Sequence, residues 1–134
     1  MNLTITMVAL FAMFPFSSAK HYPMTNDASV PGASGMVTVQ KDKDNGNMKV
    51  EVKVEHLANP ASLTPPSNTY LVWVRPSGGD AVKQGAIRVD KNLDGDLKVV
   101  TTSKEFDIFI TPEESESVSV PATLQVLRAH VNPL

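Results

Sequence analysis

The sequence contains no cysteine, which removes disulfide frameworks, thiolate metal centres, catalytic thiols and a lipidated N-terminal cysteine at once. It also lacks charge of one sign: 12 Lys and Arg stand against 14 Asp and Glu, a formal net charge of −2. Affinity for DNA or RNA comes largely from neutralising phosphates with basic side chains. A chain with a pI of about 5.9 has no such footprint, so nucleic acid is not an expected partner. There is no internal repeat, no low-complexity tract and no helical period longer than one turn. What remains is 134 residues, 42% hydrophobic and 19% charged, enough for one domain with a real core and too few for two.

The longest apolar stretch, Leu3–Phe16, carries no charge. It falls short of the roughly 20 residues that span a bilayer and has the length of a signal-peptide apolar region. Ser17 and Ala19 supply the small residues of a cleavage site before Lys20. Residues 1–19 are therefore expected to be a cleaved signal peptide, and the mature chain to be periplasmic or secreted, with no membrane span left after processing.

Residues 20–34 mix Tyr22, Pro23, Asn26, Asp27, Pro31 and Gly32 without a period and predict an extended lead-in or edge segment. From residue 35 to the end the pattern is that of strands. Val37 and Val39 alternate with polar residues, as do Met48, Val50, Val52 and Val54, with Asn45-Gly46 between the two runs. Asn-Gly is a strong signal for a two-residue type I′ hairpin, which would pair Lys41 with Val50, Val39 with Val52 and Val37 with Val54. Asp42 would then face Lys49, and Gln40 would face Glu51.

The Pro-containing stretch His56 to Asn68 predicts a connection that changes sheets. Tyr70–Val74 reads YLVWV, apolar on both faces like a central strand. Gly85 interrupts the next strand pattern and suggests a bulge, and Asp94-Gly95 marks a turn before Leu97. Phe106, Ile108 and Ile110 define a core face, leaving Phe109 for an apolar spot on the other side. The last run, from Thr123 to Val131, changes phase near Val126, as a bulge would require. About seven short strands separated by turn signals predict an all-β fold, an immunoglobulin-like antiparallel β-sandwich, with a small barrel as the alternative.

The string PSNTYLVWVRPSGG, the QGAIRV strand, the Asp-Gly turn, the FDIFIT strand, the Glu- and Ser-rich loop and PATLQVLRA together resemble the extracytoplasmic domain of anti-sigma-K-factor-like proteins. They are similar, equally, to small exported bacterial proteins of unknown function. The likeness runs from Pro66 to Ala129 and rests on Tyr70 and Trp73, Gly85, Glu113 and Pro121. It implies a β-sandwich outside the cytoplasm. It does not extend to a sigma-binding segment or a membrane helix, so what it implies is the free-standing exported domain and not sigma-factor inhibition.

Few residues suggest chemistry. Asp42-x-Asp44-x-Gly46 resembles the start of a calcium loop, but an EF-hand needs a glutamate where Lys53 stands, so a hairpin turn is expected. Asp90, Asp94 and Asp96 around Gly95 read as a solvated turn, with a weak calcium site as the other reading. The histidines, His21, His56 and His130, show no His-x-His or His-x-x-His spacing. A copper site using His21 with a second histidine is the alternative function. No Gly-x-Ser-x-Gly elbow is present, and catalysis is not expected. No cofactor is implied. Trp73 and Tyr70 could stack on a sugar or peptide, but their setting predicts a buried core. A sandwich carries recognition on its loops, which points to Ser77, Gly78, Gly79 and Asp80 together with Glu113, Glu114 and Glu116, at one end of the domain, and to a protein partner. The expectation is an exported, non-enzymatic binding or structural module.

Overall fold

The computed structural model describes residues 19–132; the apolar run Leu3–Phe16 and Ser17 of the expected signal peptide lie outside them. Nine strands follow one another: β1 (Lys20–Pro23), β2 (Thr25–Asn26), β3 (Ser34–Lys41), β4 (Met48–Glu55), β5 (Thr69–Pro76), β6 (Val82–Ile87), β7 (Gly95–Thr101), β8 (Phe106–Glu113) and β9 (Leu127–Val131). They form two antiparallel sheets, β1-β3-β4-β7 and β2-β9-β8-β5-β6. The longer strands stand as β3-β4-β7 against β9-β8-β5-β6. That order is the immunoglobulin-like one, with the fourth strand of the Greek key placed beside the third.

Alternation decides which side chains meet between the sheets. Val37, Val39, Val50, Val52 and Val54 of the first sheet face Tyr70, Val72, Val74, Phe106, Ile108, Ile110, Leu127 and Val131 of the second, all buried in one cluster. Burying an aliphatic or Phe side chain of this size contributes roughly 1.5–3 kcal/mol, so this layer holds the sandwich together. Strand β5 lies between β8 and β6 and is buried from Tyr70 to Val74. Its odd residues Leu71 and Trp73 join Phe109 in a second, smaller cluster on the outer face.

The first hairpin differs from the expected one. Lys41 pairs with Met48, Val39 with Val50 and Val37 with Val52, two residues away from the register of a two-residue turn. The loop holds four residues instead: the Gly46 amide donates to the Asp42 carbonyl (2.9 Å) and the Asp42 amide to the Asn47 carbonyl (2.7 Å). Asp42 and Asn45 side chains accept from the Asp44 and Asn47 amides, stabilising turns that leave only Gly46 at positive φ (73°). A shift of two keeps every valine on its face. Asp42 and Lys49 still approach to 3.8 Å, an exposed lysine against a half-buried carboxylate across the loop mouth.

The lead-in segment is built into the sandwich. β1 extends the first sheet beside β3, and β2 pairs with β9 at the edge of the second, so one short stretch ties both sheets on the same side. Between them Met24 is buried and its amide donates to the Gly35 carbonyl. Residues 56–68 cross from β4 to β5, and Tyr70 fastens them by donating its hydroxyl to the Ala58 carbonyl at 2.5 Å. Burial pushes that phenol up to about 12.

Gly85 sits at the expected bulge. The β5–β6 register shifts between Val72 and Trp73, and Gly85 takes φ 153°, a region that side-chain-bearing residues avoid. The last strand begins at Leu127 and not at Thr123. Val126 instead forms a bend whose amide donates to Ile110 while its carbonyl accepts from Asp27, and Leu124 stays half-exposed on the loop. The phase change in the sequence therefore marks the end of a loop.

Candidate functional site

The two loops singled out by sequence leave opposite ends of their sheet. Thr69 faces Glu113 and Pro76 faces Phe106 across the β5–β8 ladder, so the turn after Pro76 and the loop after Glu113 start at opposite ends of the strands. What brings them together is the course of residues 114–126. Lys83 on β6 donates its ammonium to the carbonyls of Glu116 (2.5 Å) and Val118 (2.9 Å). Arg88 pairs with the Glu116 carboxylate at 3.0 Å, and the Asn68 side chain donates to the Glu114 carbonyl. Val118 is thereby laid against Leu71, Trp73 and Phe109, and the loop returns along the outer face to meet the β5–β6 turn. Ser119, Val120, Pro121 and Thr123 face Gly79, Asp80 and Ala81 across a groove of about 650 Å³.

The roof is held from below by a chain of hydrogen bonds. Trp73 Nε1 donates to Thr111 Oγ1 (2.8 Å), Thr111 Oγ1 donates to Glu113 Oε2 (2.5 Å), and the Ala122 amide donates to the same carboxylate oxygen (2.8 Å). Glu113, at 7% exposure, is thus no part of an exposed acidic loop: it ends β8, pins residue 122 and orders the groove wall. Glu114 and Glu116 are exposed, with Glu116 tied to β6 as above. Ser77, Gly78, Gly79 and Asp80 are exposed in a turn closed by the Gly79 amide on the Pro76 carbonyl (3.0 Å). Gly78 takes φ 74°, as the third residue of a type II turn must.

Below the roof the same face is open. The register places Arg75, Asp107 and His130 in one row across β5, β8 and β9. Asp107 makes no ion pair with Arg75 and accepts from His130 Nδ1 at 2.7 Å, while Glu105 lies 3.2 Å from His130 Nε2. The hydrogen bond to Asp107, followed by that to Glu105, holds the imidazole pKa above its ordinary value. Arg75 lies over Phe109, its guanidinium carbon 4.9 Å from the ring centroid. This row lines a cleft of about 320 Å³ with Thr25, Phe109, Gln125, Arg128 and Ala129. Arg75 and Gln125 line both the cleft and the groove, so the two depressions meet at these residues.

The three histidines are not brought together. His21 is on β1, bonded to Thr38 on the outer face of the first sheet; His56 follows β4 at positive φ (54°); His130 is on the outer face of the second. Among the described residues no group of three His, Asp or Glu side chains is arranged to hold a metal ion. Asp90 uses its carboxylate as an acceptor for the Asn92 and Asp94 amides, and Asp42 does the same for Asp44, which are turn-forming roles. Trp73 is fully buried, as its setting predicted. Arg75, Gln125 and Arg128 were not visible as a set in the sequence, since they come from three different segments. No protein-family model matches the chain, and no curated protein matches it.

Proposed function

We propose that the protein is an exported, non-enzymatic recognition module that binds a protein partner outside the cytoplasm through the outer face of its five-stranded sheet. The observation that carries this reading is the folded-back loop of residues 114–126. A stretch free to extend into solvent is instead anchored at Lys83, Arg88, Asn68 and Glu113, and it shapes one side of a groove whose other side is the β5–β6 turn. Long loops held in one shape on a rigid scaffold are where binding surfaces are built. The apolar run Leu3–Phe16 and the resemblance to exported domains support the compartment.

Photo-crosslinking in the native host tests it. A photoreactive residue at Asp80 or Val120, both on the groove, is expected to give one defined protein adduct, and the same residue at Lys49, on the first sheet, none. Equal labelling from all three positions, or adducts from Lys49 alone, refutes the reading. Mass spectrometry of the recovered protein is expected to show a chain that starts at Lys20.

A further inference from the structure

We infer that the junction at Arg75 is a carboxylate subsite, and that the groove takes an extended peptide carrying an acidic side chain next to an apolar one. The inference rests on the recognition reading above and names the chemistry of the partner.

Arg75 is the starting point. Its neighbour across the ladder is a carboxylate, Asp107, yet Asp107 is engaged by His130, and so is Glu105. Among the described residues the Arg75 side chain makes no hydrogen bond or ion pair; its contact is the face of Phe109. An arginine held over an aromatic ring keeps its planar fork of N–H donors available for a further partner and loses less freedom on binding than one extended into water. That geometry matches a carboxylate, which accepts two parallel N–H bonds from such a fork. Arg128 lines the same cleft. On the groove side, Val120 is 74% exposed and lines the walls with Ala81 and Ala122, which offers an apolar contact in the same groove as Arg75. An open groove with an arginine fork at its junction, whose walls set Ala81, Val120 and Ala122 among Asp80, Ser119 and Thr123, fits a peptide strand with its polar backbone better than a compact small molecule.

The test uses the protein as its host produces it, labelled with ¹⁵N, and two capped peptides, acetyl-Ala-Val-Glu-Val-Ala-amide and its Gln counterpart. The Glu peptide is expected to shift the resonances of Arg75, Gln125, Val120 and the Trp73 indole saturably, and to bind at least ten-fold more tightly than the Gln peptide. Arg75→Met, which keeps the stem on Phe109 and removes the fork, is expected to abolish that discrimination without lowering the melting temperature. Arg75→Lys restores charge but not the fork and is expected to recover only part of it. Equal binding of the two peptides, absence of saturable shifts, or full discrimination in Arg75→Met overturns the inference. Inorganic phosphate that competes as well as the Glu peptide also overturns it, because the site is then a general anion site. Failure here alongside groove-specific crosslinks in the host removes the carboxylate subsite and leaves the recognition reading intact.

Discussion

Replacing Glu113 by alanine removes one side chain and disturbs two structures, the end of β8 and the roof of the groove. Glu113 Oε2 accepts from Thr111 Oγ1 and from the Ala122 amide. Hydrogen bonds to a charged acceptor contribute roughly 1.5–3 kcal/mol each. Ala122 is only part-buried and can bond water once freed, whereas Thr111 is fully buried beneath Trp73 and its hydroxyl proton is left without an acceptor. Most of the loss therefore falls on Thr111, and the total is expected at about 2–4 kcal/mol, a fall in melting temperature on the order of 10 °C for a domain of this size. Glu113→Gln keeps one oxygen acceptor for Thr111 and Ala122 while losing the charge and exchanging the other oxygen for an NH2 group, so it should cost about 1 kcal/mol. Urea denaturation of the two variants gives the comparison, and hydrogen exchange at the Ala122 and Val118 amides shows whether the loop has lifted. If Glu113→Ala loses less than about 0.5 kcal/mol, or exchange at Ala122 is unchanged, the claim that this carboxylate organises the groove is wrong.

Other consequences can be measured on the same protein. Gly85→Ala is expected to lose about 1–3 kcal/mol through backbone strain although its Cβ would meet Leu97 only at ordinary contact distance; a loss confined to Gly85→Leu would show that space and not φ is limiting. Tyr70→Phe removes the bond to the Ala58 carbonyl and should cost roughly 1–3 kcal/mol, since that acceptor is left unpaired, with faster proteolysis within residues 56–68 as the local readout. His130 gives a pH dependence. Its folded pKa lies above the ordinary value, so its contribution is fully present below about 6.5 and is lost as pH rises through the folded pKa. The stability difference between wild type and His130→Gln, followed by denaturation from pH 5 to 9, should shrink toward high pH; a constant difference refutes the pairing with Asp107 and Glu105.

The strands were legible because their side chains alternate, and alternation reports the face of a residue. It does not report register. Pairing Val39 with Val52 or with Val50 puts the same valines on the same side of the sheet, so the pattern was equally satisfied by both. The turn had to decide, and the Asn45-Gly46 signal pointed to a two-residue loop. It was overridden by Asp42 and Asn45, whose side chains make local turns in a four-residue loop, an option that short polar residues offer any chain. The lead-in was harder to read for a related reason: two- and four-residue strands are too short to show a period, and only the exposed edges of β3 and β9 call them into the sheets.

The site was less legible than the fold, because it is made of residues whose roles depend on neighbours far along the chain. In sequence, Glu113 is the first of a run of acids; in the sandwich, Thr111 and Ala122 turn it inward. Asp107 and Arg75 read as an ordinary cross-strand ion pair once their strands are known to be adjacent. His130 breaks that pair by offering Asp107 a hydrogen bond at 2.7 Å, and Glu105 completes the imidazole's coordination from the other side. The Arg75 guanidinium is then left with charge and donors but no carboxylate partner, over the Phe109 ring. The competition between His130 and Arg75 for one carboxylate is therefore what separates a surface ion pair from the carboxylate subsite inferred above, and it follows from the register of three strands rather than from any local motif.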